Sequence, residues 1–349
     1  MLGMNIGIDL GTTSTIVYVE GKGIIISEPS AIAYDTENGS IMAVGQRAYD
    51  MFEKCPDSVK VIRPLENGVV SDFIATQHIL KYYLNKILKH TVLKPNIIVC
   101  TPSNVTGLEK RVILDLVTAC GAGRACLMDE PLAAAIGAGF DIHDPTGMMV
   151  VDIGGGTTDI AVISMGNVVS SVSVKGAGNG FDDAIRNYLK RERNIIVGRK
   201  KAEDIKKKIG CAMLRPDEVT ILSNGKDYVE NLPTFFEVSS VEVFLAMREG
   251  LTEIIDGITK VLEDISPDLM NDLYQKGICV TGGGAFIYGI REFIESQTGI
   301  KTYCAEDSLN CVAKGTGFAI KDMDFLANNG YIFKTREEIK GYNEFDDLV

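Results

Sequence analysis

The sequence contains no tryptophan and only three histidines in 349 residues, and its eight cysteines form no Cys-x-x-Cys pair. Zinc sites are built from cysteine and histidine at short, regular spacings. The lack of such spacings argues against a structural metal site. The cysteines are also not spaced in pairs, which argues against a disulfide framework. We expect reduced thiols that lie mostly in the core.

Positive charge is also scarce, with 35 Lys and Arg against 47 Asp and Glu and a net charge of −12. This charge repels phosphate backbones, so nucleic acid is not an expected partner. No apolar run reaches the roughly 18–20 residues that a membrane span needs. The start Met1-Leu2-Gly3-Met4 is too short for a signal peptide. We therefore expect a cytoplasmic protein.

A hairpin pattern occurs twice in the chain. Residues 5–11 form a short apolar run that leads into a glycine turn and a second run at 16–19, and the same pattern returns at residues 148–163. Strand and helix patterns alternate between and after the two hairpins, which is typical of βαβ units and predicts a largely parallel sheet. At 349 residues the chain exceeds the roughly 250–300 at which one core stops growing, so we expect two lobes with a cleft between them.

Helix starts are marked by two capping boxes. Thr106 with Glu109 opens one predicted helix, and Ser239 with Glu242 opens a longer one. The long helix carries an apolar stripe at helical spacing. Its members are Phe244, Met247, Leu251, Ile254, Ile255, Ile258 and Leu262.

Each hairpin places an aspartate at a strand end, before small residues whose backbone can approach an anion closely. Asp9 and Asp152 occupy equivalent points of the repeat. Mg²⁺ is usually held by one or two carboxylates together with substrate phosphates, so these two are the predicted metal site. The alternative is that both satisfy local turn amides. No Gly-Lys-Ser/Thr ending of a P-loop is present.

Phosphate donors are predicted on both hairpins. Thr12, Thr13 and Ser14 offer hydroxyls and amides on the first, and Gly154, Gly155, Gly156, Thr157 and Thr158 on the second. Glu130 precedes a proline at a helix start, where an acid either interacts with the helix dipole or orients a catalytic water. These residues alone leave both roles open.

The motifs together resemble those of the actin superfamily and match the bacterial MreB family best. They are the runs at residues 9–15, 130–139 and 152–158, Thr281-Gly282-Gly283-Gly284-Ala285, and Gly315-Thr316-Gly317. The resemblance extends from about residue 5 to about residue 322. It implies an α/β, actin-like (ribonuclease H-like) fold of two lobes with a nucleotide cleft between them.

By this resemblance the first lobe would span residues 1–150, with subdomain IB inserted at about 32–74. The second would span 151–325, with subdomain IIB at about 184–245, and a tail would follow at 326–349. The cofactors implied are ATP or ADP and Mg²⁺, with Asp9 and Asp152 near the metal, and Gly11 and the predicted donors around the phosphates. Glu130, helped by Thr157, would orient water for attack on the γ-phosphate.

The resemblance also implies nucleoside contacts. Gly282, Gly283, Gly284 and Ala285 would lie against the adenosine, although such a turn is often only a connection. Glu203, Lys206 and Lys207 fall where the superfamily contacts the nucleoside, and a solvated charged helix face is the alternative.

The sequence departs from the family pattern at four places. Thr13-Ser14 stands where the family usually has Ala-Asn, and residues 176–182 replace a more acidic turn. Lys207-Lys208 replaces a less basic pair, and the tail at 330–349 is additional.

Family membership further implies ATP-dependent homopolymeric filaments at the inner face of the cell membrane, with membrane proteins of the cell-shape or wall-synthesis machinery as partners. Val92 and Leu93 occupy the position of a membrane-inserting loop, and the alternative places both in the core. Rival functions are a small-molecule kinase of the same superfamily, an Hsp70-type ATPase domain and a nucleotide-bound scaffold. Only about thirty residues follow residue 317, so we do not expect a substrate domain of the Hsp70 type.

Overall fold

The computed structural model describes residues 3–89, 93–103, 105–321, 326, 328, 330–331, 334–335 and 337–338. Within them the chain divides into two compact units. One unit is drawn from residues 1–145, 165–168 and 310–349, and the other from residues 146–164 and 169–309. Most of the predicted tail lies outside the described residues.

The secondary structure alternates between strands and helices in both units. The first unit begins with β1 (Asn5–Leu10), β2 (Ser14–Val19), β3 (Gly23–Pro29), β4 (Ile32–Asp35), β5 (Ile41–Val44), α1 (Gln46–Met51), β6 (Val59–Ile62), β7 (Leu65–Glu66), β8 (Val69–Val70), α2 (Phe73–Leu88), β9 (Asn96–Thr101), α3 (Gly107–Ala119), β10 (Arg124–Asp129) and α4 (Glu130–Gly137). The second unit holds β11 (Met148–Ile153), β12 (Thr157–Ser164), β13 (Asn167–Lys175), α5 (Ala177–Arg193), β14 (Ile195–Ile196), α6 (Arg199–Ile209), β15 (Thr220–Asp227), β16 (Pro233–Ser239), α7 (Ser240–Asp264), α8 (Pro267–Lys276), β17 (Ile278–Thr281), a 3-10 turn (Gly283–Phe286), α9 (Ile290–Thr298) and β18 (Thr302–Cys304). A second 3-10 turn (Ser308–Asn310) precedes α10 (Cys311–Ala319) and β19 (Lys334–Thr335), which return to the first unit.

The main sheets of the two units repeat one topology. Their strand orders are β19-β10-β9-β1-β2-β3 and β13-β12-β11-β17-β18. In the first sheet, β1 pairs antiparallel with β2 and parallel with β9, which in turn pairs parallel with β10. In the second sheet, β11 pairs antiparallel with β12 and parallel with β17, which in turn pairs parallel with β18. The predicted internal repeat is thus confirmed. The prediction of a largely parallel sheet is wrong, because turns of three residues join the first two strands of each repeat and permit only antiparallel pairing.

Both predicted capping boxes are confirmed. Thr106 and Glu109 exchange side-chain and backbone hydrogen bonds at the start of α3, and Ser239 and Glu242 do so at the start of α7. Each box provides acceptors for two backbone N–H groups that have no acceptor within the helix, which is why these helices begin where the sequence predicts.

The cores are built from the predicted apolar faces. Four members of the α7 stripe are buried with β11 and β12 side chains in the core of the second unit: Met247, Leu251, Ile254 and Ile258. Burying each such side chain contributes about 1.5–3 kcal/mol. The eight cysteines all fall in the described part of the chain, where none of them forms a disulfide, and six of them are buried. No helix there is both long and apolar enough to cross a membrane.

Candidate functional site

The first turn joins β1 to β2 and consists of Gly11, Thr12 and Thr13. The Gly11 N–H closes it by donating to Ser14 O at 3.0 Å. On one side, the Ser30 hydroxyl donates to Gly11 O at 2.7 Å and the Ser30 N–H donates to Thr13 O at 3.0 Å. A trans peptide holds its N–H opposite its C=O. The N–H groups of Thr12 and Ser14 therefore face away from Ser30, in an arrangement that suits an anion.

Thr12 fixes this turn to the rest of its unit. Its buried hydroxyl accepts a 2.9 Å hydrogen bond from Gly68 N–H, in the turn between β7 and β8. The Arg63 guanidinium lies 3.5 Å from Thr12 O. Because a hydroxyl that accepts one bond still carries its hydrogen, Thr12 keeps a donor for a phosphate oxygen.

The second turn joins β11 to β12 and consists of Gly154, Gly155 and Gly156. Gly154 N–H closes it by donating to Thr157 O at 2.9 Å, as Gly11 closes the first. All three carbonyl oxygens accept from backbone N–H groups at the start of α5: Gly178 to Gly154 at 3.1 Å, Asn179 to Gly155 at 2.7 Å and Gly176 to Gly156 at 2.8 Å. By the same planarity argument, the N–H groups of Gly155, Gly156 and Thr157 face away from α5. Each hairpin thus presents a row of backbone donors.

The two repeat aspartates differ in exposure. Asp9 is half-buried next to Leu10, whereas Asp152 is buried and accepts a 2.6 Å hydrogen bond from the Thr281 hydroxyl. Burial raises the pKa of Asp152 to about 6, with the neighbouring Asp159 adding to the rise and the Thr281 hydrogen bond opposing it. A cation beside such a desolvated carboxyl would stabilise its ionised form.

Asp152 fits a magnesium ion better than it fits a transition metal. Within the described residues, no three or more His, Cys, Asp and Glu side chains are grouped to hold a metal ion. A cation there would take its other ligands from phosphate oxygens and water, which is how Mg²⁺ is commonly bound.

Thr157 and Thr158 open β12, and both are buried, as is Ile153 at the end of β11. The Thr158 hydroxyl finds no hydrogen-bond partner among the described residues. Buried hydroxyls are normally satisfied, so a ligand or an ordered water is expected at Thr158.

Glu130 is the first residue of α4 and is 9% exposed. Two glycines explain how α4 is positioned. A Cβ on Gly137 would lie 1.8 Å from Cys311 O, and one on Gly315 would lie 1.8 Å from Ala133 O. The backbones of α4 and α10 therefore touch at Gly137 and Gly315, whereas a Cβ on Gly317 of the same motif would meet the Tyr18 ring instead.

The glycines at 282–284 have different surroundings. Gly282 has a φ of 77°, and its Cβ would lie 2.5 Å from Ile153 O. A Cβ on Gly284 would lie 2.2 Å from Ile153 Cγ2, whereas one on Gly283 would meet only Leu309 Cδ1 at 3.8 Å. Gly282 and Gly284 are thus required by packing against the end of β11, and contact of this segment with adenosine stays a prediction.

The predicted nucleoside residues on α6 fall into two environments. Lys207 is 67% exposed on its side chain and pairs with Glu203 at 2.6 Å. Lys206 points inward, where its Nζ lies 2.7 Å from Asp182 Oδ1 and donates to Gly178 O at 2.6 Å.

Leu93 of the predicted membrane loop is 45% exposed, so the alternative that placed it in the core is wrong. Val92 lies outside the described residues.

Ser30, Gly178 and Asn179 were missed as site residues by sequence reasoning. Ser30 follows β3 without any local motif, and only its contact with the first turn reveals its role. The glycine-rich segment at 176–180 could have indicated Gly178 and Asn179, since several glycines at a helix start let another backbone segment approach closely.

The chain is similar to known proteins along nearly its whole length. The family model described as MreB/Mbl protein matches residues 3–328. The cell shape-determining protein Mbl of Bacillus subtilis (strain 168) is 42% identical over 329 residues, covering 93% of this chain and 98% of Mbl.

Two solved structures of one relative are also similar. MreB5 of Spiroplasma citri bound to ADP shares 37% identity and a TM-score of 0.89, covering 94% of this chain and 98% of that one. MreB5 bound to AMPPNP shares 37% identity and a TM-score of 0.87, covering 95% and 99%. This likeness confirms the predicted actin-like α/β fold. With these matches along nearly its whole length, the chain belongs to the MreB/Mbl family.

Proposed function

We propose that this chain binds ATP with Mg²⁺, hydrolyses it and assembles into filaments of its own copies. The observation that carries this proposal is the pair of turns, which occupy equivalent places in two sheets. In each turn, backbone N–H groups face away from the residues that donate hydrogen bonds to the turn's carbonyl oxygens. Rows of such amides bind polyphosphates. The MreB5 structures with ADP and AMPPNP support a nucleotide as the ligand.

In this proposal, phosphate oxygens accept hydrogen bonds from both turns and from the residues that follow them. The contributing residues are Gly11, Thr12, Thr13, Ser14, Gly154, Gly155, Gly156, Thr157 and Thr158. Adenosine contacts are proposed for Glu203, Lys207, Gly282, Gly283, Gly284 and Ala285.

Hydrolysis is assigned to Glu130, with help from the Thr157 hydroxyl. Glu130 accepts a hydrogen bond from a water molecule, orients its oxygen toward the γ-phosphorus and takes one of its protons as the new oxygen–phosphorus bond forms. The bond from the γ-phosphorus to the oxygen that bridges to the β-phosphate breaks, which releases ADP and phosphate. Bound Mg²⁺, held by Asp9 and Asp152 through water, would supply stabilisation of the negative charge that develops on the phosphate. Such a base contributes roughly 10²–10⁴-fold to a rate.

Filament formation is supported by family membership and by a general property of repeated head-to-tail contacts, which build open polymers when they do not close. The lobes at 1–150 and 151–325, with subdomains at about 32–74 and 184–245, are part of the same proposal, except that α10 lies in the first of the two compact units. A nucleotide couples to assembly only if its affinity differs between the free and assembled conformations.

We further propose that the filaments lie at the inner face of the cell membrane and contribute to cell shape by organising membrane proteins of wall synthesis. The support is a relative named for cell-shape determination, together with the exposed Leu93. The net charge of −12 disfavours purely electrostatic adsorption to anionic lipid. Apolar insertion is therefore the proposed contact.

Phosphate release and electron microscopy on lipid monolayers test these statements together. The samples are wild type and Glu130→Ala with Mg·ATP, wild type with Mg·ADP, and Glu263→Ala as a control that removes an exposed acid of α7. We expect wild type and Glu263→Ala to release phosphate and form filaments. Glu130→Ala should bind ATP and release phosphate roughly 10²–10⁴-fold more slowly.

Other outcomes point to the rival functions. Phosphate transfer that requires a small acceptor, with isolated particles in every sample, would indicate a kinase. Filaments without phosphate release would indicate a nucleotide-bound scaffold. Equal release by wild type and Glu130→Ala would remove Glu130 from the mechanism.

A further inference from the structure

Lys206 is held inside the second unit by two short contacts. Its ammonium lies 2.7 Å from Asp182 Oδ1 and donates to Gly178 O at 2.6 Å. The side chains of Lys206 and Asp182 are only 13% and 10% exposed. The next residue, Lys207, is 67% exposed. A lysine withdrawn from water in this way needs compensating contacts, which Asp182 and the Gly178 carbonyl provide.

Gly178 connects this lysine to the second turn. Its carbonyl accepts from Lys206, and its N–H donates to Gly154 O at 3.1 Å. The space is closely filled, since a Cβ on Gly178 would lie 3.2 Å from Gly154 O and 3.4 Å from Lys206 Nζ. A continuous line of contacts therefore runs from α6 through one glycine to the turn.

The start of α5 has little local stabilisation of its own. Its N-cap is Gly176, which makes no side-chain capping bond and has a φ of 104°. Ala177 follows with a φ of 21°, a value that L-residues rarely adopt. A helix start in this conformation depends on contacts from outside the helix, and Lys206 supplies one of them.

We propose that Lys206 is a positioning residue, which holds the start of α5 against the carbonyl side of the second turn and so keeps the turn's N–H groups directed toward phosphate. This role rests on the proposed nucleotide function. It differs from the predicted contact of Lys206 with the nucleoside, because it requires the ammonium to stay on Gly178 and Asp182.

Hydrogen–deuterium exchange of the nucleotide-free protein tests the positioning directly. Lys206→Met keeps the apolar stem and removes the charge, and Lys260→Met removes an exposed lysine of α7 as the control. We expect the amides of Gly176, Gly178 and Asn179 to exchange about 10-fold faster in Lys206→Met, which corresponds to about 1.4 kcal/mol. Exchange should be unchanged in Lys260→Met.

A double variant separates positioning from charge neutralisation. Lys206→Met combined with Asp182→Asn leaves no buried charge unpaired, so it also guards against simple misfolding. We expect its exchange at residues 176–179 to remain fast, because Gly178 O still lacks its donor. Wild-type exchange in the double variant would overturn the proposal, since Lys206 would then serve only to neutralise Asp182.

Affinity for fluorescently labelled Mg·ADP gives the functional readout. We expect about 10-fold weaker binding for Lys206→Met and for the double variant, partial recovery with Lys206→Arg, and wild-type binding for Lys260→Met. Weaker binding with wild-type exchange would overturn the proposal in favour of direct nucleotide contact. If wild type itself binds no Mg·ADP, the proposed function fails, while the exchange comparison still decides whether Lys206 positions the turn.

Discussion

Thr281 donates a 2.6 Å hydrogen bond from its hydroxyl to Asp152 Oδ1, where the parallel strands β17 and β11 end side by side. Both residues are buried. The bond stabilises the carboxylate, yet burial outweighs it and holds the pKa of Asp152 near 6, above its ordinary value of 3.8. Without a cation, this carboxyl is therefore substantially protonated in mildly acidic solution.

Thr281→Val should raise the pKa of Asp152 further, because it removes the hydroxyl that favours the ionised form while keeping the side-chain shape. The measurement is a carbon-13 NMR titration of aspartate carboxyls in Mg²⁺-free and nucleotide-free protein. Asp152→Asn identifies the signal by its loss. A pKa that stays the same in Thr281→Val would mean that the hydrogen bond does not stabilise the carboxylate.

The raised pKa also sets how stability changes with pH. The folded chain holds the Asp152 proton more tightly than the unfolded chain. The stabilisation that Asp152 adds to the unfolding free energy is therefore fully present below about pH 3.8 and is lost as the pH rises through about 6. Between pH 5 and 7, wild type should lose about 1 kcal/mol more unfolding free energy than Asp152→Asn. Urea unfolding in Mg²⁺-free buffer measures both slopes, and parallel slopes would contradict the shift.

Gly284→Ala and Gly283→Ala separate packing from ligand contact in the proposed adenosine segment. A Cβ at Gly284 would lie 2.2 Å from Ile153 Cγ2, so Gly284→Ala should lower the unfolding free energy by about 1–3 kcal/mol. A Cβ at Gly283 meets only Leu309 Cδ1 at 3.8 Å, so stability should stay within about 0.5 kcal/mol.

Nucleotide titration then tests the proposed role of Gly283. If adenosine lies against its backbone, Gly283→Ala should weaken Mg·ADP binding several-fold at unchanged stability. Unchanged affinity would leave this segment as a structural connection only.

Ser30→Ala should disturb the first turn from its carbonyl side. The Ser30 hydroxyl is fully buried, donates to Gly11 O at 2.7 Å and lies 2.9 Å from Thr15 Oγ1. Its removal leaves a buried carbonyl without this donor, which costs about 1–3 kcal/mol. We expect a matching loss of unfolding free energy and weaker Mg·ADP binding. The exposed Ser58→Ala is the control, and equal stability of the two variants would show that water replaces the hydroxyl.

Features of the fold that depend on neighbours in sequence were predictable. The hairpins and both capping boxes are of this kind, because a capping box is complete within four residues. The mixed sheets were not predicted, since βαβ patterns indicate parallel pairs without revealing which hairpin strand adjoins them.

The contacts that shape the candidate site join distant parts of the chain. Thr281 and Asp152 lie 129 residues apart in sequence, and Ser30 and Gly11 lie 19 apart. No local pattern encodes such pairs, because they follow from strand order and from the close approach of glycine backbones. The same limit applies to α6, since spacing along the helix does not tell which of Lys206 and Lys207 turns inward.

Replacing Val92 and Leu93 together by serine should reduce recruitment to lipid more than 10-fold, because Leu93 is 45% exposed and burying such a side chain contributes about 1.5–3 kcal/mol. A filament multiplies this weak contact over many copies. Liposome flotation with Mg·ATP measures it, and Leu108→Ser, which removes a 74% exposed leucine on α3, is the control. Mg·ADP affinity should stay at the wild-type value. Unchanged flotation of the double variant would exclude this loop as the membrane contact.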